Sequence, residues 1–144
     1  MTAQLDRIAY TASAVATGGR AGHVRSDDGN VDLDLRPPAE LGGPGGAANP
    51  EQLFAAGYAA CFQSALEGAG RRASVDTTGS TVTCQVSIGP VGDVFGLSVV
   101  LEIAIPGRSV ETCRELAHEA HRVCPYSNAT RGNVAVEVRV RESD

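Results

Sequence analysis

Cys61 lies in Asn49-Pro50-Glu51-Gln52-Leu53-Phe54-Ala55-Ala56-Gly57-Tyr58-Ala59-Ala60-Cys61-Phe62, a mostly apolar stretch with almost no charge around its thiol. Cys124 lies far downstream in Val123-Cys124-Pro125-Tyr126-Ser127-Asn128. Two thiols in two separate, distinctive segments point to a dithiol redox site. The other two cysteines, Cys84 and Cys113, fall on an inward strand position and on the apolar stripe of a helix, where cysteine serves as a small hydrophobe. Taken singly, Cys61 also fits a core position. Cys124, just before Pro125 where the chain must change direction, also fits a partly buried helix end. The sequence has no C-x-x-C pair, which argues against a zinc ribbon or a thioredoxin-like motif. In a reducing cytosol a disulfide is more often catalytic than structural.

Other chemistry is thinly represented. His118 and His121 are three apart on a predicted helix, but Glu115, Glu119 and Arg122 surround them, so both read as a solvated face and no metal is expected. His23 follows Gly22 and reads as exposed. Asp27-Asp28-Gly29-Asn30 matches a fragment of a calcium loop without its remaining ligands, and reads better as a hairpin turn.

The elements that must carry the two thiols follow from patterning. The length of 144 residues fits one domain, 1–144, and the 42% hydrophobic fraction suffices for a core built mainly from Val, Leu, Ile and Ala, since there is no Trp and only three Tyr and three Phe. The net charge of −5 and the absence of a Lys/Arg run argue against nucleic acid and anionic membrane as partners. The N-terminus lacks a basic start followed by an apolar run, and no apolar segment reaches ~18 residues, so a soluble cytoplasmic protein is expected.

Short β signals occupy residues 5–17 and 21–35. Asn49, Pro50 and Gln52 form a helix start with a capping-box variant, and the helix is expected to run to about Gly68 or Gly70, buried on most sides because Ala55, Ala56, Gly57, Ala59 and Ala60 let neighbours approach. Val82, Cys84, Val86 and Ile88 alternate as a strand, as do Leu97, Val99, Leu101, Ile103 and Ile105, and Val134, Val136, Val138 and Val140. A second helix, capped by Ser109, runs to about Cys124. The order β-β-β-α-β-β-α-β is that of an α+β domain with helices against antiparallel sheet.

Three blocks are more specific. Gly19-Arg20-Ala21-Gly22-His23-Val24-Arg25-Ser26-Asp27-Asp28-Gly29, the Asn49–Phe62 stretch, and Cys124-Pro125-Tyr126-Ser127-Asn128-Ala129-Thr130-Arg131-Gly132-Asn133 resemble the organic hydroperoxide resistance (Ohr) branch of the Ohr/OsmC family, in order and over nearly the whole chain. The resemblance implies an OsmC-like fold, with antiparallel sheets packed around a long central helix, and an intertwined homodimer with two active sites at the subunit interface. It implies thiol-dependent reduction of organic hydroperoxides to alcohols. Carried over by motif, Cys61 matches the peroxidatic cysteine and Cys124 the resolving one. Arg20 matches the arginine that supports the thiolate, and Glu51 its carboxylate partner. No resident cofactor is implied. The reductant is an external dithiol, typically a lipoyl group on a lipoylated protein.

These residue types suit that chemistry. A free thiol is mostly protonated at neutral pH, and burial would raise its pKa further. A guanidinium, always charged and able to bond a carboxylate and a sulfur together, reverses that trend. Glu51 and Cys61 are ten residues apart, roughly 15 Å along an unbroken helix. A composite site is therefore expected, with Arg20 and Glu51 reaching Cys61 of a partner chain. Phe54, Tyr58 and Phe62 are candidates for an apolar substrate pocket, with core packing as their plainer role. The glycine-rich segment Pro37–Ala48 is expected to be the mobile part. A cysteine hydrolase and a non-catalytic binding module are the rival functions, and the hydrolase lacks a full nucleophile–base–orienter signature.

Overall fold

The computed structural model describes residues 2–142. The chain forms two compact units, one ending at Pro50 and one beginning at Glu51.

In the first unit, β1 (Ala14–Thr17), β2 (His23–Ser26) and β3 (Asp32–Asp34) form an antiparallel sheet in the order β1-β2-β3. The strand expected over residues 5–17 is realised only from Ala14. Its partner β2 is four residues long, with Ala14 opposite Ser26, and the pairing ends where the Asp27 N–H donates to the Ser13 carbonyl at 3.0 Å. Leu5, Ile8 and Tyr10 are left 79%, 71% and 80% exposed. The turn between β2 and β3 is held by Asp28, whose carboxylate accepts from Ser26 Oγ and the Asn30 backbone N–H. Gly29 there has φ +76°, in the left-handed region that glycine enters without strain. Between β1 and β2, a 3-10 turn (Gly19–Ala21) carries Arg20. It is tight, because a Cβ on Gly22 would fall 1.7 Å from the Thr17 carbonyl oxygen. The segment Pro37–Ala48 folds back on Pro37 and Pro38, whose carbonyls accept from the backbone N–H groups of Leu41, Gly43 and Gly45.

In the second unit, α1 (Pro50–Ala73) runs a few residues longer than expected. Tyr58, Phe62, Leu66, Ala69 and Gly70 form its buried stripe, the spacing of one helix face. The expectation of burial on most sides does not hold within one chain, where Gln52, Ala56, Ala60, Ser64 and Glu67 are exposed. β4 (Thr81–Val91) and β5 (Val94–Ala104) form a long antiparallel hairpin, and α2 (Val110–Val123), α3 (Pro125–Thr130) and β6 (Ala135–Val140) follow. β6 pairs parallel to β5, with Val138 opposite Leu101, and so departs from a purely antiparallel sheet. The cause is the α2–α3 crossover, which returns the chain to the end of the sheet where β5 began.

Val99, Leu101, Ile103 and Ile105 of the β5 segment meet Tyr58, Phe62 and Leu66 of α1 and Cys113, Leu116, Ala117 and Ala120 of α2 in one core. Each large apolar side chain buried there stabilises the fold by about 1.5–3 kcal/mol relative to exposure. The architecture is α+β, with two small sheets and a long helix. No helix among the described residues is long and apolar enough to cross a membrane.

Candidate functional site

Cys61 sits past the middle of α1, one residue before fully buried Phe62 and three after fully buried Tyr58. It is itself only partly buried. Cys124 arrives from the other side. α2 starts at Ser109, whose hydroxyl accepts from the Thr112 N–H at 3.1 Å, and its final backbone bond runs from the Cys124 N–H to the Ala120 carbonyl. Proline at 125 disfavours helical dihedrals at the residue before it, and Cys124 is extended at φ −62°, ψ 124°. Pro125 then opens α3, where its missing N–H is no loss. Cys124 thus ends one helix and caps the next, at a corner with 0% exposure.

That corner brings the two sulfurs together. Cys124 Sγ donates to Cys61 Sγ at 3.5 Å, and both thiols are free. A disulfide requires about 2.05 Å between sulfurs, so an approach of about 1.5 Å would join them. The first N–H groups of a helix have no partner within it, and that of Tyr126, in the first turn of α3, is directed at the Cys61 sulfur. Burial pushes the Cys61 thiol upward; the Tyr126 N–H pulls it down in part, and neighbouring Cys124 pushes it up again. A cation supplied to this sulfur would favour its charged form against that burial.

Aromatic residues surround the pair. Phe54 packs edge-on against Tyr58 with centroids 6.2 Å apart, and Tyr58 lies 5.8 Å from the ring of Tyr126. Tyr126, 43% exposed, rests against Gly57, where a Cβ would come within 3.2 Å of its ring and hydroxyl. Of the three expected pocket aromatics, Tyr58 and Phe62 are fully buried in the core, whereas Phe54 is partly buried against it. Glu51 occupies the first turn of α1 and Arg20 the 3-10 turn of the first unit.

Tyr126, Ser127, Thr130 and His121 were not anticipated as site residues from the sequence. Tyr126 contributes its N–H and its ring. Tyr58 Oη lies 2.8 Å from Ser127 Oγ and 3.2 Å from Thr130 Oγ1. His121, expected on a solvated face with His118, is half-buried instead, with Nδ1 2.7 Å from Ser127 Oγ. The signal was present: His121 lies four residues after Ala117 and eight after Cys113, on the edge of the apolar stripe, while His118 is exposed. Cys84 and Cys113 take the packing roles expected of them. Cys84 faces the core from β4, where burial pushes its thiol up to about 11, and Cys113 is 2% exposed.

Comparison with known proteins agrees in family and fold. Residues 43–139 match the OsmC family, described as OsmC-like protein. An organic hydroperoxide resistance protein of Xanthomonas axonopodis pv. citri (strain 306) is 47% identical over 133 residues, covering 91% of this chain and 94% of that protein. The crystal structure of an organic hydroperoxide resistance protein from Elizabethkingia anophelis superposes with a TM-score of 0.90 at 48% identity, covering 96% of this chain and 100% of the other. That of OhrB from Bacillus subtilis gives 0.84 at 43% identity, covering 92% and 98%.

Proposed function

This chain belongs to the Ohr/OsmC family of OsmC-like proteins, and from that premise we propose that it is a thiol-dependent peroxidase that reduces organic hydroperoxides to alcohols. The observation that carries the reading is the reduced Cys61–Cys124 pair at 3.5 Å, with one sulfur partly open to solvent and the other buried behind it. A buried thiol beside a partly exposed one is what resolution inside a single chain requires. The exposed member meets the oxidant, and its neighbour needs no diffusion to reach it.

The cycle begins with the Cys61 thiolate attacking the distal peroxide oxygen. The O–O bond breaks, the alkoxide leaves and takes a proton as alcohol, and Cys61 becomes a sulfenic acid. Cys124 then attacks the Cys61 sulfur and water departs, leaving a Cys61–Cys124 disulfide. An external dithiol reopens it by two exchanges and is itself oxidised to a disulfide. Lipoyl groups, as dithiols that close to a five-membered ring, are the reductant this reading favours.

Arg20 serves as the cation that offsets burial of Cys61 and stabilises charge as the O–O bond breaks, with Glu51 as its carboxylate partner. Phe54 and the exposed ring of Tyr126 supply an apolar approach, shaped from beneath by Tyr58 and Phe62, which favours organic hydroperoxides over H2O2. The working form is a homodimer, in which a partner chain covers the small residues Ala56, Ala60 and Ser64 on the open face of α1 and contributes Arg20 and Glu51 to the site. A reducing compartment such as the cytoplasm keeps both thiols ready.

The test is peroxide consumption with cumene hydroperoxide, tert-butyl hydroperoxide or H2O2, using dihydrolipoamide or glutathione as donor. Expected are turnover on the organic peroxides with the dithiol, a mapped Cys61–Cys124 disulfide after oxidation, and complete loss of turnover in Cys61→Ser. Cys124→Ser should oxidise once and fail to recycle through a disulfide. Turnover that persists in Cys61→Ser would sink the assignment; unchanged peroxide with an intact dithiol would favour a binding module.

A further inference from the structure

The thiol pair is underlain by a chain of polar groups that the cycle above does not use. It runs from His121 Nδ1 to Ser127 Oγ (2.7 Å), to Tyr58 Oη (2.8 Å) and to Thr130 Oγ1 (3.2 Å), and the Thr130 hydroxyl donates to the Ser127 carbonyl at 3.1 Å. Tyr58 and Ser127 have 0% exposure and Thr130 4%. A hydroxyl left without a partner at such a place costs about 1–3 kcal/mol. The members come from the three helices that meet at the cysteines. Tyr58 precedes Cys61 by three residues, His121 precedes Cys124 by three, and Ser127 follows Cys124 by three.

Counting protons shows that the chain works in two directions. With His121 protonated at Nε2 alone, Tyr58 donates to Ser127 and Ser127 donates to His121 Nδ1. With a proton on Nδ1, His121 donates to Ser127, Ser127 to Tyr58, and Tyr58 to Thr130. Both directions keep the Tyr58–Ser127 and Ser127–His121 bonds that tie α1, α2 and α3 together, and the second also fills the Tyr58–Thr130 contact. The groups facing the ring are Arg114 and His118 from α2, Val138 and Val140 from β6, Phe62 from α1 and Arg131 after α3. The Arg131 guanidinium also binds the His121 carbonyl at 2.6 Å. Burial first, then Arg131 and His118 nearby, lowers the His121 pKa, which favours a neutral ring, and either neutral tautomer keeps the chain bonded.

We propose that His121, acting through Ser127 and Tyr58, is a positioning residue for the resolving step, clamping the Cys124 corner against α1 so that Cys124 faces Cys61 once that residue is oxidised. The inference rests on the peroxidase reading of the thiol pair. In the step concerned, the Cys124 sulfur attacks the Cys61 sulfur, the S–S bond forms and the S–O bond breaks. Cys124 is oxidised, the sulfenic sulfur is reduced, and hydroxide leaves with the Cys124 proton as water. The sulfurs start 3.5 Å apart. The remaining approach of about 1.5 Å is within reach of rotation about the two cysteine side chains, provided the corner stays in place. An unclamped corner holds Cys124 in that position for less of the time, and the waiting sulfenic acid meets a second peroxide and becomes sulfinic acid.

The test mixes reduced full-length protein with cumene hydroperoxide and quenches at intervals for mass spectrometry. It reads loss of the Cys61 thiol separately from its division between disulfide and sulfinic acid. His121→Phe and Ser127→Ala should slow disulfide formation by about tenfold or more and raise sulfinic acid to match, while the rate of Cys61 oxidation stays within about twofold. His121→Asn, whose amide oxygen stands in for Nδ1, and Ser127→Thr, which keeps a hydroxyl, should recover disulfide formation to within about threefold of the parent. Unchanged division in His121→Phe and Ser127→Ala overturns the proposal, as does equal slowing in the Phe and Asn variants, which would make ring volume the cause. Failure of the parent protein to oxidise Cys61 at all defeats the peroxidase reading instead.

Discussion

A thiol that burial pushes upward is a weak nucleophile at neutral pH until a positive charge restores its thiolate. Cys61 is in that position, with the Tyr126 N–H drawing it down in part. If Arg20 provides the charge, Arg20→Ala should raise the Cys61 pKa, followed by ultraviolet thiolate absorbance, and slow oxidation at pH 7 by about tenfold or more. An unchanged titration would remove Arg20 from the site. Cys84 illustrates the stability side of the same physics. Its thiol is raised from 9.0 to about 11 in the fold, so the unfolded chain loses that proton first. Stability from this source is complete below pH 9 and is lost as pH rises toward 11. Cys84→Val should flatten the alkaline decline in urea midpoint, and an equally steep decline would refute this. The cysteines themselves were readable in the sequence because their flanking blocks are distinctive. His121 was not: its charged neighbours Glu119 and Arg122 pair with each other at 2.7 Å on the outer face, and Ser127, the partner that turns the ring inward, comes from the next helix.

At the scale of elements, the corner between α2 and α3 does most to place the site. Its two ends depend on local chemistry that is plain in the sequence, Ser109 as a cap and Pro125 as a first helical residue. Ser109→Ala removes the acceptor for the Thr112 N–H and should destabilise the chain by about 1 kcal/mol, seen as a lower denaturation midpoint with an unchanged slope. Leu101→Ala strikes the strand that both neighbours pair with, and should cost about 2–5 kcal/mol. Helix α1, the β4–β5 hairpin and α2 were all legible as periodicity and caps. The direction of β6 was not, because Val134, Val136, Val138 and Val140 alternate in the same way whether the strand runs parallel or antiparallel. α3 was missed because six residues are too few to show a period. The first strand was overextended because Ile8 and Tyr10 alternate with no partner strand opposite them.

For the molecule as a whole, a single chain leaves much apolar surface uncovered. Leu5, Ile8 and Tyr10, with Val91, Val94 and Phe95 at the hairpin tip, are each more than 60% exposed. Sedimentation should give twice the 14.8 kDa chain mass at micromolar concentration, and a monomer there would contradict the dimer reading. Replacing Leu5, Ile8 and Tyr10 together by Ser should shift the midpoint of association upward if they lie in that contact. The paired sulfurs also have a history written into their spacing. They are separated by 63 positions along the chain. At roughly 5–20 residues per second of synthesis, the ribosome delivers the first of them about 3–13 seconds ahead of the second. If the pair resolves oxidation as proposed, a copy oxidised within that interval has no companion sulfur to rescue it, so peroxide given during synthesis should leave more irreversibly oxidised Cys61 than the same dose given to finished protein.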